Sequence, residues 1–260
     1  MFLKNKKLIF CLYDWAGSPF STIVITFVFA EYFIKSVSHD IIQGTAHWGW
    51  MISISTLMVA FFGPIIGILA DHKNFNQMFL IITTLLVSLC SSLLWLITPN
   101  IDKALLALIL IGLANFSFEL NMIFYNSRLN SFASSKKIGD LSGKAWAAGY
   151  LGGISCLVFI LFFLILPEKP IFNISVENNE NIRLCGPIVG FWFLVFGFPF
   201  LLLKNNSPNT KSFRFYKSIM KIKFNLLNLT KDPTLGRYLI SRLFYSDGLN
   251  TLFAFGGIYA

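Results

Sequence analysis

Charged residues are scarce in this 260-residue chain. Asp, Glu, Lys and Arg together make up 13% of it, whereas hydrophobic residues make up 55%. A soluble domain of this length needs far more polar surface than such a composition provides. The composition therefore excludes an ordinary soluble domain and indicates a protein whose main solvent is lipid.

Histidine and cysteine are also rare, with three and four residues. Cys11, Cys90, Cys156 and Cys185 lie far apart and show neither a CxxC pair nor a metal-ligand spacing, so we interpret them as small core residues. The sequence contains no phosphate-binding loop and no nucleophile beside a base. We therefore predict no enzyme activity, no metal ion and no cofactor.

Long apolar runs are what the chain does contain. A helix needs about 20 mostly apolar residues to cross the hydrocarbon core of a bilayer. Seven stretches have that length, at roughly 8–34, 48–70, 78–98, 104–125, 145–166, 184–203 and 238–260. They predict an all-α, polytopic membrane protein embedded in a lipid bilayer.

The net charge of +9 is unevenly distributed over the predicted loops. With the N-terminus inside the cell, 17 of the 21 Lys and Arg residues fall on the inner side. The outer side then holds only Lys35, Lys103, Lys169 and Arg183. This distribution follows the positive-inside rule, so we predict a cytoplasmic N-terminus and no nucleic-acid partner.

The spacing of the apolar runs divides the chain into three parts. Residues 1–204 are predicted to form a six-helix transmembrane half, and residues 205–236 a basic cytoplasmic central loop. Residues 237–260 are predicted to be the first helix of a shortened second half. This is the layout of transporters that are built from two six-helix halves.

Four segments carry a more specific signal: residues 13–20, 124–129, 138–143 and 242–251. They resemble the first helix, the helix 4 to helix 5 region and the seventh helix of one branch of the major facilitator superfamily. That branch is vacuole-effluxer-like and includes bacterial members called the unknown major facilitator family. Family members have about twelve helices, so the chain is expected to match the N-terminal half plus helix 7.

The resemblance implies secondary active transport of a small polar solute, such as an amino acid, by alternating access in a bacterial inner membrane. The shortened chain leaves three alternatives to this function open: a non-transporting scaffold, a remnant of a decaying gene, or one half that pairs with a separately encoded second half.

Acidic residues within the predicted spans are the main candidates for a functional site. A charge at the centre of a membrane helix costs about 2.5–3.5 kcal/mol unless it meets water or a partner. Asp14 and Glu119 each lie about 9 Å from the inner end of their helix, and Asp247 lies about 14 Å along the seventh. The resemblance implies that helices 1, 4 and 7 line one cavity, where these acids would bind a proton or a cationic solute group.

Structural pairing is the alternative role for two of these acids. In that case Asp14 or Glu119 forms an ion pair with Lys144, Arg128 or Arg242 near the inner surface. An ion pair of this kind would explain an acid in a span without any role in transport.

Four polar residues are predicted to line the cavity: Tyr13, Asn115, Tyr245 and Asn250. Three asparagines of the fourth helix either line the cavity or form hydrogen bonds between helices: Asn115, Asn121 and Asn126. Trp48 and Trp50 are predicted to anchor their helix at the lipid interface.

Three residues are predicted to act in gating: Gly67, Asp71 and Lys73. Residues 67–71 resemble the gating motif of the superfamily, although most of the basic residues that usually follow it are replaced. The alternative for Asp71 is to cap the next helix.

Two clusters of helix-perturbing or small residues complete the pattern. Gly17 and Pro19 are predicted to break the first helix near Asp14. A stripe of small residues is predicted to bring the fifth helix close to a neighbour: Gly143, Ala147, Ala148, Gly149, Gly152 and Gly153.

Overall fold

The computed structural model of the chain describes residues 5–70, 75–167, 174–176, 178–203 and 233–259, and every regular element in these ranges is helical. Within these ranges, six helices are long and apolar enough to cross a membrane. They are α1 (Lys6–Val37), α2 (Ile41–Ala70), α3 (Phe75–Leu96), α4 (Ile101–Phe132), α5 (Ser135–Ile165) and α6 (Glu180–Leu201). The prediction of an all-α polytopic membrane protein is confirmed.

A seventh helix, α7, extends over Pro233–Tyr259. It begins at Pro233, earlier than the predicted start at 237, because proline is well tolerated in the first turn of a helix. Helix α7 carries Arg237, Arg242 and Asp247 and is not among the candidate spans. Most of the predicted basic loop, residues 205–232, lies outside the described residues.

Helix α1 is the centre of the bundle. It packs against α5 and α6, while α3 packs against α4 and α6, and α2 packs against α4. Helix α7 contacts the second half of α1. Helices α1 and α2 differ in burial: 61% of the most apolar part of α1 is buried, whereas only 11% of the most apolar part of α2 is buried. Helix α2 therefore offers most of its apolar surface to lipid, including Ile54, Leu57 and Phe61.

The winding of α1 changes after Pro19. Because proline has no N–H, the carbonyl group of Trp15 loses its usual helical donor four residues later. The wider π-helical winding of Phe20–Phe27 follows directly. The predicted break is thus a change of winding within a continuous span, of the kind often found at functional sites.

Aromatic rings fill the interior between α1, α4 and α6. The rings of Phe10 and Tyr125 stack with centroids 4.3 Å apart, and the rings of Tyr13 and Phe200 lie 4.6 Å apart. Each such pair adds about 0.5–1.5 kcal/mol beyond its buried area. All four side chains are buried, so this cluster fixes how the three helices pack.

One predicted lipid anchor is wrong. Trp48 is fully buried, and its ring lies 5.6 Å from the ring of Phe33 on α1. Trp50 is exposed, as an interfacial anchor requires. Trp48 and Trp50 differ in burial because residues two positions apart on an α-helix point to nearly opposite sides of it.

Candidate functional site

Asp14 lies on α1 just before the change of winding, and its side chain is half-buried against α5. A Cβ atom placed on Gly149 would be 3.0 Å from Asp14 Oδ1 and 2.6 Å from Ser18 Oγ. Ser18 Oγ donates a hydrogen bond of 2.9 Å to the backbone carbonyl of Asp14. The Asp14 carboxyl group therefore occupies space that exists because residue 149 has no side chain.

The bases that were expected to pair with the acids bind elsewhere. Lys144 Nζ lies 2.9 Å from Asp140 Oδ2, and Arg128 donates to uncharged oxygens. Within the described ranges, the side chains of Asp14 and Glu119 form neither an ion pair nor a hydrogen bond. The pairing alternative is therefore not seen among these residues.

The remaining acids lie on other helices. Glu119 on α4 is exposed at the surface of the described helices, and so are Tyr245, Asp247 and Asn250 on α7. The structure shows no hydrogen bond that joins any two of the three acids in the part of the chain it describes. Their convergence on one cavity stays a prediction.

Tyr13 belongs to a buried polar network between α1, α3 and α4. Its hydroxyl group donates to Asn121 Oδ1 at 3.0 Å and shares a 2.6 Å hydrogen bond with Thr84 Oγ1. Asn121 Nδ2 in turn donates to Thr83 Oγ1 at 2.9 Å and to Thr84 Oγ1 at 3.0 Å. In this arrangement Tyr13 is fully buried, and its hydrogen-bonding capacity is used between helices.

Asn115 makes a similar contact between α4 and α2. Its Nδ2 atom donates to Ser55 Oγ at 2.8 Å, and both side chains are buried. The interhelical role that the sequence offered as an alternative is therefore the one that the structure shows for Asn115. Such bonds contribute about 0.6 kcal/mol on average in membrane proteins.

Arg128 is a buried cation at the end of α4, with 3% of its surface exposed. Its guanidinium group donates to Gln77 Oε1 at 2.6 Å and to the carbonyl of Leu203 at 2.8 Å, and it lies 4.8 Å from the centroid of the Phe200 ring. Gln77 also donates to the carbonyl of Leu201. Arg128 thus joins the end of α4 to the start of α3 and the end of α6.

The predicted gating residues are only partly described. Gly67 lies on α2, and a Cβ atom placed on it would meet nothing within 4 Å. Asp71 and Lys73 lie outside the described residues. Their gating role stays a prediction.

Sequence reasoning missed Thr83, Thr84 and Ser18 as partners of the candidate residues. The two threonines stand in an otherwise apolar run, and adjacent hydroxyl residues at membrane depth are the available signal for a buried network. Ser18 lies four residues after Asp14, the spacing at which a serine bonds back to a helical carbonyl.

A bundle of membrane-spanning helices whose spans carry acids without an ionic partner among the described residues is typical of a membrane transporter. A family model described as "Vacuole effluxer Atg22 like" matches residues 38–260. The chain belongs to this family of the major facilitator superfamily, which confirms the resemblance drawn from the sequence.

Two curated relatives extend over nearly the whole chain. One is an MFS-type transporter of Bacillus subtilis (strain 168), YxiO, which is 23% identical over 95% of this chain and 58% of its own length. The other is a protein of Aquifex aeolicus (strain VF5), 26% identical over 98% of this chain and 57% of its own length. The chain therefore spans little more than half the length of these relatives. No solved structure gives a significant match.

Proposed function

We propose that this protein carries out secondary active transport of a small polar solute by alternating access, coupled to protons through acids within its spans. The observation that carries the proposal is that Asp14 and Glu119, on two different membrane helices, have no ionic partner among the described residues. Membership of a family with transporter relatives supports the same function.

An unpaired carboxyl group in a membrane span has a high free energy when it is ionised. Because burial favours its neutral form, such a group is suited to taking up and releasing a proton. Facing a water-filled cavity or a cationic ligand would also lower the cost. Either property serves a transporter that moves between two states.

The proposed roles differ between the three acids. Asp14 is half-buried between α1 and α5 and is assigned to proton binding. Glu119 and Asp247 are exposed and are assigned to the cavity wall, together with Tyr245 and Asn250. An amino acid is the proposed solute class, because its ammonium group complements these carboxylates.

We propose a cytoplasmic N-terminus in a bacterial inner membrane. The exposed lysines 6, 7, 136, 137 and 144 lie near the starts of α1 and α5, while Lys35 lies near the other end of α1. The test replaces the native cysteines with serine and introduces Lys137→Cys or Lys35→Cys. In intact cells a membrane-impermeant maleimide should label Cys only in the Lys35→Cys variant; the reverse labelling would overturn the orientation.

A second candidate is that this chain is one half of a split transporter. Alternating access requires a second wall across from the first, and the chain spans 58% and 57% of the two curated relatives. Transport by the whole protein would then need that second part. A scaffold without transport activity is the remaining alternative.

Uptake by reconstituted vesicles separates these functions. The purified chain is inserted into liposomes and given a mixture of labelled amino acids, with and without a pH gradient across the membrane. Gradient-dependent uptake by the chain alone supports the transporter. Uptake only after coexpression with the part of YxiO beyond the matched region supports the split form. No uptake in either case, with helical content intact, supports the scaffold.

A further inference from the structure

We propose that Gly149 on α5 is a positioning residue that sets the orientation of the Asp14 carboxyl group. This inference rests on the proposed role of Asp14 in proton binding. It assigns to Gly149 a function beyond helix packing, because the nearest groups to the missing side chain include the carboxyl group itself.

The contacts around the missing side chain identify the group it would displace. A Cβ atom at residue 149 would stand 3.0 Å from Asp14 Oδ1 and 3.2 Å from Asp14 Cγ. It would also stand 2.6 Å from Ser18 Oγ. A real Cβ atom essentially never comes within 3.0 Å of another atom, so Ser18 Oγ would have to shift. The Asp14 carboxyl group would stand in a tight contact and would have to give by a few tenths of an ångström.

The other glycines of α5 face different groups. A Cβ atom on Gly152 would collide with the backbone of Trp15, and one on Gly153 would meet Thr22 Oγ1 at 2.5 Å. Gly143 has nothing within 4 Å of the corresponding position. Of the described glycines on this helix, Gly149 is the one whose substituent would meet an acid.

Close packing at Gly152 determines how the strain at residue 149 would be relieved. Because the backbones of α1 and α5 meet at Trp15 and Gly152, the two helices cannot separate locally without losing that contact. Ser18 Oγ can rotate, whereas the Asp14 carboxyl group must turn about its own side-chain bonds. An added methyl group at residue 149 is therefore expected to reorient the carboxyl group and leave the fold intact.

The test measures the reactivity of Asp14 directly and does not require transport. The chain in membrane vesicles is treated with dicyclohexylcarbodiimide, which reacts with protonated carboxyl groups in apolar surroundings, and the labelled fraction is read by mass spectrometry. In Gly149→Ala the labelling rate of Asp14 should fall about threefold or more, the scale expected for a side chain forced off its preferred rotamer. Glu119 on α4 is the internal reference and should keep its rate.

Two matched variants separate positioning from packing. Gly143→Ala, on the same helix with open space around it, should leave the Asp14 rate unchanged. The double variant Ser18→Ala with Gly149→Ala removes the shortest contact but keeps the contact with the carboxyl group. The positioning role predicts that its Asp14 rate stays low. Recovery to the original rate, or an unchanged rate in Gly149→Ala itself, would overturn the inference.

Failure of this inference and failure of the proposed function give different results. If Asp14→Asn leaves gradient-driven uptake unchanged, the coupling role of Asp14 is wrong whatever the labelling of Gly149→Ala shows. If Asp14→Asn abolishes uptake while Gly149→Ala labels at the normal rate, the coupling role stands and the positioning role is wrong.

Discussion

The hydroxyl group of Tyr13 donates a 3.0 Å hydrogen bond to Asn121 Oδ1 across the interface between α1 and α4. Both side chains are fully buried, and Thr84 on α3 bonds to both of them. The bundle is thus held by polar contacts at its centre as well as by its aromatic core. Polar contacts contribute to helix association in a membrane because lipid tails are as apolar as the helix surfaces, so burial of apolar side chains gives little driving force.

Asn121→Ala is expected to destabilise the bundle by about 1 kcal/mol, because it leaves the Tyr13 and Thr83 hydroxyl groups short of a partner. Denaturant unfolding of the purified protein in detergent measures the change. Asn126→Ala is the matched control, since Asn126 is exposed on the same helix. Equal stability of the two variants would contradict a stabilising role for the network.

Arg128→Lys is expected to destabilise the ends of α3, α4 and α6 by about 1–3 kcal/mol. A lysine ammonium group cannot reproduce the fork that reaches both Gln77 Oε1 and the Leu203 carbonyl. The melting temperature in detergent measures this loss of stability. Lys137→Arg is the control, because Lys137 is exposed. A melting temperature equal to that of the unaltered protein would show that charge alone suffices at residue 128.

Gly67→Ala is expected to keep or raise the stability of the described helices, by up to about 1 kcal/mol, because alanine is the better helix former. Its Cβ atom would meet nothing within 4 Å. If Gly67 acts in gating against the remainder of a whole transporter, uptake should nevertheless fall. Full uptake by the stable variant would remove Gly67 from the gating role.

Much of the fold could be predicted from the sequence, because each membrane helix is a continuous apolar run of characteristic length. The first helix is an example: its apolar run predicts the span, and Pro19 predicts a break within it. The structure instead has a π-helical continuation over Phe20–Phe27, beside a close approach of the α1 and α5 backbones at Trp15 and Gly152. Such contacts between distant segments leave no local pattern.

The candidate site was predicted less completely. Asp14 and Glu119 could be selected because acids are costly in a span, and the structure shows no ionic partner for either among the described residues. The sequence indicates an interhelical hydrogen bond for Asn121 but not its partner, because Tyr13 lies 108 residues away from Asn121 and 71 from Thr84. Trp48 was assigned to the lipid interface because composition shows where a tryptophan lies along a helix but not which side it faces.

The most direct test of proton coupling through Asp14 compares two transport modes in Asp14→Asn. In reconstituted vesicles, amino-acid uptake driven by a pH gradient should be lost, while exchange of labelled for unlabelled solute at equal pH should persist. Asp140→Asn is the control, because Asp140 is exposed and pairs with Lys144 on the same helix, and it should retain both modes. Gradient-driven uptake by Asp14→Asn at the level of the unaltered protein would contradict proton coupling through this residue.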